Sequence, residues 1–108
     1  MPSGFRYERK LADKLEQEGW HVERVASSGK RRNSVCDLVG IKSGIAHLFE
    51  VKSRKGKIFY TKQYRKELKR LVKVARKCGA VPILAILFKR RGWKIVELKR
   101  IPKVVKFE

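Results

Sequence analysis

The segment VCDLVGIKSGIAHLFEVK, residues 35–52, contains two apolar runs joined by a short polar turn. The runs at residues 35–41 and 45–52 carry many of the branched and aromatic residues that favour strands. Residues 42–44, which include a glycine, have the composition of a tight turn. The segment therefore predicts a β-hairpin.

The turn decides which side chains meet across this hairpin. A two-residue turn at Ser43 and Gly44 places Asp37 opposite Glu50, with about 5 Å between their β-carbons. A three-residue turn would shift the pairing by one residue and separate the two acids. Because side chains alternate along a strand, Glu50 and Lys52 point to the same face. The two-residue register therefore predicts two carboxylates and one ammonium group within a small area.

The segments on both sides of the hairpin predict an α/β fold around a mixed sheet. We expect a helix at residues 4–18, a second helix that Thr61 caps and Gly79 ends, and further strands at residues 20–26, 81–88 and 93–98. The predicted order is α-β-β-β-α-β-β in one domain, residues 1–108, because a chain of this length builds one core. Residues 53–60 are expected to form a basic connection, and the segment after Pro102 a short strand or an ordered tail. The strand, helix, strand order around the second helix implies a parallel crossover.

The composition is strongly basic. Lys and Arg number 29 against 10 Asp and Glu, a formal net charge of +19. Such an excess repels itself unless a polyanion is bound, which favours a nucleic acid as the partner. A membrane surface is disfavoured because no basic amphipathic segment carries a Trp, Phe and Leu face. We expect no membrane partner, no small-molecule substrate and, since we see no apolar leader or spanning run, a cytoplasmic protein.

Three acids lie on otherwise apolar surfaces. Asp37 and Glu50 lie in the hairpin, and Glu8 shares a face of the first helix with Leu15. An unpaired buried carboxylate costs several kcal/mol, so each of them needs a cation, a metal ion or an opening to solvent. Facing carboxylates suit Mg²⁺ or Mn²⁺, which prefer oxygen ligands. We therefore predict a metal site at Asp37 and Glu50, with Glu8 acting through water or on a second ion.

Lys52 adds a cation to the same face. Its ammonium group can hold an attacking water and stabilise pentacovalent phosphorus, which predicts metal-assisted hydrolysis of a phosphodiester. Burial would lower the pKa of Lys52, whereas two neighbouring carboxylates would raise it. Each residue also has a structural interpretation: Glu50 with Lys52 as a surface ion pair, Asp37 as a turn cap, and Glu8 as the partner of a distant cation. A non-catalytic basic DNA-binding protein is therefore the alternative.

The order of these residues resembles a known signature. Asp37 followed by Glu50-Val51-Lys52 resembles the Asp, Glu-X-Lys pattern of the restriction-endonuclease-like nuclease superfamily. Residues 4–98 resemble one branch of it, the archaeal Holliday junction resolvases. The segments that carry this likeness are Gly4 with Glu8-Arg9, residues 24–29, Asp37-Leu38-Val39, Glu50-Val51-Lys52, residues 79–85 and Gly92-Trp93. One difference is Cys36, where many superfamily members have proline before the aspartate.

The resemblance implies both a fold and an activity. The fold is restriction-endonuclease-like, with a central mixed sheet of about five strands flanked by helices. The activity is that of a homodimeric, Mg²⁺-dependent endonuclease, in which Mn²⁺ can substitute, that resolves four-way DNA junctions by paired symmetric cuts. Asp37 and Glu50 would be metal ligands and Glu8 an accessory acid, while Lys52 would be the catalytic base or transition-state stabiliser. The alternative within this class is another Asp, Glu-X-Lys nuclease that acts on damaged or duplex DNA.

Basic and hydroxyl side chains are candidates for DNA contact. The resemblance implies that Arg9 and Arg24 contact the phosphate backbone, and that Ser27 and Ser28 lie in a loop near the scissile strand. The full set of candidates is Arg9, Arg24, Ser27, Ser28, Lys30, Arg31, Arg32, Arg54 and Lys55. The second helix adds a basic face whose residues mostly lack an acid four positions on, and we expect a subset of them to contact phosphates. These residues are Lys62, Arg65, Lys66, Lys69, Arg70, Lys73, Arg76 and Lys77.

Overall fold

The computed structural model describes residues 3–25 and 34–108. The elements of these residues, in chain order, are α1 (Ser3–Gln17), β1 (His21–Arg24), β2 (Leu38–Lys42), β3 (Ile45–Arg54), β4 (Ile58–Tyr60), a 3-10 turn (Lys62–Tyr64), α2 (Arg65–Cys78), β5 (Val81–Phe88), β6 (Gly92–Glu97) and β7 (Val104–Lys106). Within these ranges, neither helix is long and apolar enough to cross a membrane.

The central hairpin has the two-residue turn that the sequence predicts. From the turn outward, the pairs are Lys42 with Ile45, Ile41 with Ala46, Gly40 with His47, Val39 with Leu48 and Leu38 with Phe49. Ser43 and Gly44 have φ angles of 54° and 77°, the left-handed conformation that such a turn requires. The predicted register is confirmed, and the ladder ends one residue after Asp37.

A mixed sheet of five strands, in the order β1-β2-β3-β5-β6, lies at the centre of the described chain. β3 and β5 are parallel and joined through α2, and the other neighbouring strands are antiparallel. α1 packs on one face through Leu11 and Leu15, and α2 packs on the other face through Leu68 and Leu71. Because both faces are covered, β5 is apolar along its whole length. The predicted arrangement of a mixed sheet flanked by helices is confirmed.

A second, two-stranded sheet pairs β4 with β7. The prediction of a plain connection at residues 53–60 is wrong, because β3 continues to Arg54 beside β5 and β4 follows at Ile58–Tyr60. The tail forms the short strand that was one of its two predicted states. Strands of three residues are too short to show a period, so the pattern of residues could not reveal β4.

Thr61 does not cap α2 as the sequence predicts. A 3-10 turn at Lys62–Tyr64 comes before α2, and the Thr61 side chain makes no capping bond there. Its buried hydroxyl instead donates to the main-chain carbonyls of Pro102 and Lys103. Thr61 therefore fastens the C-terminal tail to the segment that leads into α2, a long-range role that a local capping rule does not detect.

Candidate active site

Strand β3 extends beyond the end of β2. β2 begins at Leu38, opposite Phe49, whereas β3 continues beside β5 as far as Arg54. Within the described part of the chain, residues 50–54 therefore have a pairing strand on one side only. Asp37 lies beside β3 on this unpaired side, which we call the open side of β3.

Asp37 is fixed at this position by three hydrogen bonds. Its N–H donates to the carbonyl of Phe49 at 2.8 Å, and its carbonyl accepts from the N–H of Val25 at 2.9 Å. Its Oδ2 accepts from the N–H of Val51 at 2.8 Å, so the side chain satisfies a main-chain donor that β2 leaves open. Asp37 and Glu50 line the same cavity, of about 230 Å³. The two hairpin acids therefore meet, as the register predicts.

Lys52 lies between two carboxylates that come from different elements. Its Nζ is 3.3 Å from Oε2 of Glu50 on β3 and 2.8 Å from Oε1 of Glu67 on α2. The same Nζ lies 4.2 Å from the ring centroid of Tyr64, in a cation–π contact. Glu67 is not among the site residues predicted from the sequence, although one signal was present: Glu67 is the single acid in Arg65–Cys78, a helix otherwise rich in Lys and Arg.

Glu8 reaches the same cluster from α1. It lies on the helix face of Leu11 and Leu15, both of which are buried. Its carboxylate is close to Asp37, and burial together with the charge of Asp37 raises the pKa of Glu8 to about 7. The Nε of Arg24 lies 3.4 Å from Oε1 of Glu8 and partly offsets this effect. Glu8, Asp37, Glu50 and Lys52 are thus brought together by three separate parts of the chain.

Burial is the largest cause of the raised pKa values of the carboxyl groups in this cluster, and neighbouring carboxylates add to it. Burial and the neighbouring Asp37 raise the pKa of Glu50 to about 8. Burial also raises the pKa of Asp37, although the hydrogen bond from Val51 opposes the shift. Burial lowers the pKa of Lys52, but its contacts with Glu67 and Glu50 outweigh that effect, so the pKa is raised overall. A bound proton or a bound cation would relieve the repulsion among these carboxylates.

We expect the protein without bound metal to lose stability as the pH rises from about 4.5 to 8. A carboxyl group whose pKa is higher in the folded chain than in the unfolded chain binds its proton more tightly when folded. For Glu50 and Glu8 the usual value is 4.5 and the folded values are about 8 and 7. Their stabilising contribution is therefore complete below pH 4.5 and is lost as the pH rises through these folded values.

The measurement is the free energy of unfolding at pH 5 and pH 8, in buffer with a chelator, for wild type and Glu50→Gln. Glu50→Gln should lose less stability between these two values than wild type, because an amide does not ionise. Glu16→Gln, which changes an exposed acid on α1, is the matched control and should follow wild type. Parallel curves for wild type and Glu50→Gln would contradict the prediction.

Comparison with known proteins identifies the family. A family model described as archaeal Holliday junction resolvase (Hjc) matches residues 2–106 of the chain. The chain belongs to this family. It is similar to the crossover junction endodeoxyribonucleases Hjc of Sulfurisphaera tokodaii and of Sulfolobus acidocaldarius, with 37% identity to each over 73 residues. The aligned segment covers 65% of this chain and 51% of each relative. The chain thus spans about half the length of these curated relatives.

The fold agrees with that of a solved Hjc. The Holliday junction resolvase Hjc of Archaeoglobus fulgidus superposes with a TM-score of 0.78 at 30% sequence identity, and the match covers 97% of this chain and 88% of that chain. The expected membership of the archaeal Holliday junction resolvases is confirmed.

The donors in this Hjc-family site suit a divalent cation that prefers oxygen. Asp37 and Glu50 present carboxylate oxygens to one cavity, and the burial that raises their pKa values disfavours their ionised forms, an effect that a nearby positive charge opposes. Among residues 3–25 and 34–108, no group of three or more His, Cys, Asp or Glu side chains is placed to hold a metal ion by itself. A metal ion bound here would therefore need water or main-chain oxygens in addition to these two carboxylates.

Only some of the candidate DNA-contact residues of this Hjc-family chain lie near the acidic cluster of Glu8, Asp37 and Glu50. Arg9 is exposed on α1, and Arg24 approaches Glu8. Arg54 packs its guanidinium 5.0 Å from the ring centroid of Phe59, and its Nε is buried without a hydrogen bond. Lys55 is exposed and lines a cavity of about 610 Å³ with other basic residues. Ser27, Ser28, Lys30, Arg31 and Arg32 lie outside the described residues.

The basic face of α2 and of the turn before it is exposed to solvent. Its residues are Lys62, Arg65, Lys66, Lys69, Arg70, Lys73, Arg76 and Lys77. The opposite face of α2 carries the apolar residues Leu68, Leu71, Val72 and Ala75, which are buried as the sequence predicts. α2 therefore presents a continuous cationic surface on the same side of the sheet as Lys52 and Glu67.

Proposed function

We propose that this chain is a structure-specific endonuclease that cuts four-way DNA junctions, with residues 1–108 forming one nuclease domain. The observation that carries this proposal is the convergence of Asp37, Glu50 and Lys52, together with Glu8, at the open side of β3. Membership of the Hjc family and a net charge of +19 support a polyanionic substrate of this kind.

Nucleases of this family generally use a divalent metal, and we propose that Mg²⁺ is the ion, with Mn²⁺ as a substitute. Asp37 and Glu50 would bind it directly, and Glu8 would act through water or on a second ion. When bound, the ion supplies a Lewis acid that neutralises charge on the phosphate and acidifies a water. Because metal binding competes with protons on Glu50 and Glu8, the affinity for Mg²⁺ should increase with pH.

The residues of the chain then have separate roles in the hydrolysis. Lys52 orients the attacking water or stabilises the charge that develops on phosphorus, and its raised pKa favours the charged, stabilising role at neutral pH. Asp37 is held rigidly by main-chain hydrogen bonds, so its carboxylate needs little reorganisation when substrate binds. Glu8, whose pKa burial and Asp37 raise to about 7, would be the accessory acid beside Asp37.

We also propose that the chain acts as a homodimer on DNA in the cytoplasm. A four-way junction has approximate two-fold symmetry, and resolution requires two cuts in opposite strands. One chain provides one set of acids at β3, so two copies related by a two-fold axis would address both strands with identical sites. Arg9, Arg24 and a subset of the α2 face are the proposed phosphate contacts. The further candidates are Ser27, Ser28, Lys30, Arg31, Arg32, Arg54 and Lys55.

One assay tests this proposal. Four-way junction, duplex and flap DNA, each labelled on one strand at a time, are incubated with the protein with and without Mg²⁺. We expect paired symmetric cuts in the junction, only with Mg²⁺, and no comparable cutting of duplex or flap. Preferential cutting of duplex or flap would identify a different nuclease, and binding without any cutting would identify a non-catalytic DNA-binding protein.

A further inference from the structure

Glu67 is the nearer of the two carboxylates that hold Lys52. Its Oε1 lies 2.8 Å from Nζ of Lys52, whereas Oε2 of Glu50 lies 3.3 Å away. The two contacts come from different sides, because Glu50 is on β3 and Glu67 is in the first turn of α2. The ammonium group is therefore held between the sheet and the helix.

An aromatic ring completes this arrangement. The ring centroid of Tyr64, in the turn before α2, lies 4.2 Å from Nζ of Lys52. That ring is itself stacked on Phe59, at a centroid distance of 5.4 Å, and Phe59 is fully buried. A side chain of four methylene groups has many rotamers in solution, so contacts on several sides are needed to fix its ammonium group in one place.

Glu50 alone is poorly suited to this task. It is also a proposed metal ligand, and a carboxylate that binds a cation attracts a neighbouring ammonium group less strongly. Glu67 lines the same cavity as Asp37 and Glu50 but is not one of the proposed metal ligands, and its Oε1 contacts Nζ of Lys52 across the gap between α2 and β3. The shorter contact of Glu67 with Lys52 therefore makes Glu67, rather than Glu50, the carboxylate better placed to hold the ammonium group.

We propose that Glu67 is a positioning residue that fixes the ammonium group of Lys52 for hydrolysis, with Tyr64 as its support. This inference rests on the proposed nuclease function. Glu67 acts through Lys52 and does not contact the phosphate. It also lies in the first turn of α2, where a negative charge stabilises the helix whatever its partner, so the test must separate the two effects.

The test compares wild type with Glu67→Ala and Glu67→Gln. Single-turnover cleavage of a labelled four-way junction is measured at saturating Mg²⁺, and the junction Kd is measured with Ca²⁺ in its place. Glu67→Ala should slow cleavage by about 10- to 100-fold, the usual effect of removing a group that orients a catalytic residue, while Kd changes by less than about 3-fold. Glu67→Gln keeps an oxygen acceptor and should lose less than Glu67→Ala. The matched control is Glu16→Ala, an exposed acid of α1, which should cut like wild type.

A second measurement does not depend on activity. In ¹H–¹⁵N NMR spectra selective for lysine ammonium groups, the signal of Lys52, assigned by its loss in Lys52→Arg, should be sharp in wild type and Glu67→Gln. It should broaden or disappear in Glu67→Ala, because the ammonium hydrogens then exchange with water. Melting temperatures of all variants report any general loss of structure. If Glu67→Ala does not fold, the comparison of Glu67→Gln with wild type still tests the proposal.

The outcomes distinguish this inference from the function on which it rests. If wild type does not cut any DNA with Mg²⁺, the nuclease proposal fails and this inference fails with it. If wild type cuts and Glu67→Ala cuts equally fast, or its Lys52 signal is unchanged, the positioning role alone is overturned. Equal losses in Glu67→Ala and Glu67→Gln that follow a fall in melting temperature would also overturn it, since they would indicate a role in helix stability.

Discussion

Asp37→Asn and Glu50→Gln should each abolish Mg²⁺-dependent cleavage while junction binding is retained or becomes tighter. Each change removes a charged oxygen donor at the proposed metal site and so removes stabilisation of the charge on phosphorus. A loss of about 10³-fold in the cleavage rate is expected, the upper end of the range for losing one such group. Binding should not suffer, because a carboxylate repels the phosphate backbone and its neutral amide does not.

Folding provides an internal control for this prediction. Burial raises the pKa of both Asp37 and Glu50, so their ionised forms are unfavourable in the folded chain. Asn at position 37 keeps an oxygen that can accept from the N–H of Val51. The inactive variants should therefore melt at or above the wild-type temperature at pH 8. Cleavage at the wild-type rate by either variant would remove these residues from the proposed mechanism, and a lower melting temperature would make the loss of activity uninformative.

Junction affinity should fall by about 10³- to 10⁵-fold when salt is raised from 50 to 200 mM. This range follows if the protein neutralises about six to ten phosphates, since each contact releases condensed counterions. The exposed basic face of α2 and a net charge of +19 supply enough cations for this number of contacts. The ratio of junction to duplex affinity should change far less, because shape rather than charge distinguishes the two DNAs.

The measurement is the slope of log Kd against log salt concentration, for junction and for duplex. Lys55→Ala and Lys69→Ala change exposed lysines of the proposed DNA surface, and each should reduce the slope by about 1 if its ammonium contacts a phosphate. Lys14→Ala is the control, because Lys14 lies on α1 in an ion pair with Glu18 at 2.7 Å. A slope near zero in wild type would contradict electrostatic binding of DNA, and a junction preference that disappears with salt would contradict recognition by shape.

The sequence predicted the hairpin and its acids because the rules that decide them are local. The turn at Ser43 and Gly44 sets the register, and strand alternation then places Glu50 and Lys52 on one face. Nothing more was needed to predict that Asp37 and Glu50 meet. The apolar stripe of α2 predicts one buried helix face, and the uniform apolarity of β5 predicts a strand buried on both faces. Both predictions are confirmed.

The missed features depend on contacts between residues that are distant in the chain. In the sequence, Glu67 is one acid on a basic helix, and its contact with Lys52 exists only after α2 packs across β3. Thr61 had the right position for a helix cap, yet its hydroxyl bonds to the tail about forty residues later. β4 and β7 form strands because they pair with each other, and neither carries a pattern that reveals this alone.

The uneven lengths of β2 and β3 have a consequence for solubility. Over residues 50–54, β3 pairs with a strand on one side only among residues 3–25 and 34–108, and an exposed edge is a site where strands of other molecules can pair and aggregate. Here the carboxylate of Asp37 takes the free N–H of Val51, and Lys52 and Arg54 add charge to the same stretch. The features that discourage another polypeptide strand are therefore the same residues that would act on the proposed DNA substrate, so one arrangement would serve both protection against misassembly and access for that substrate.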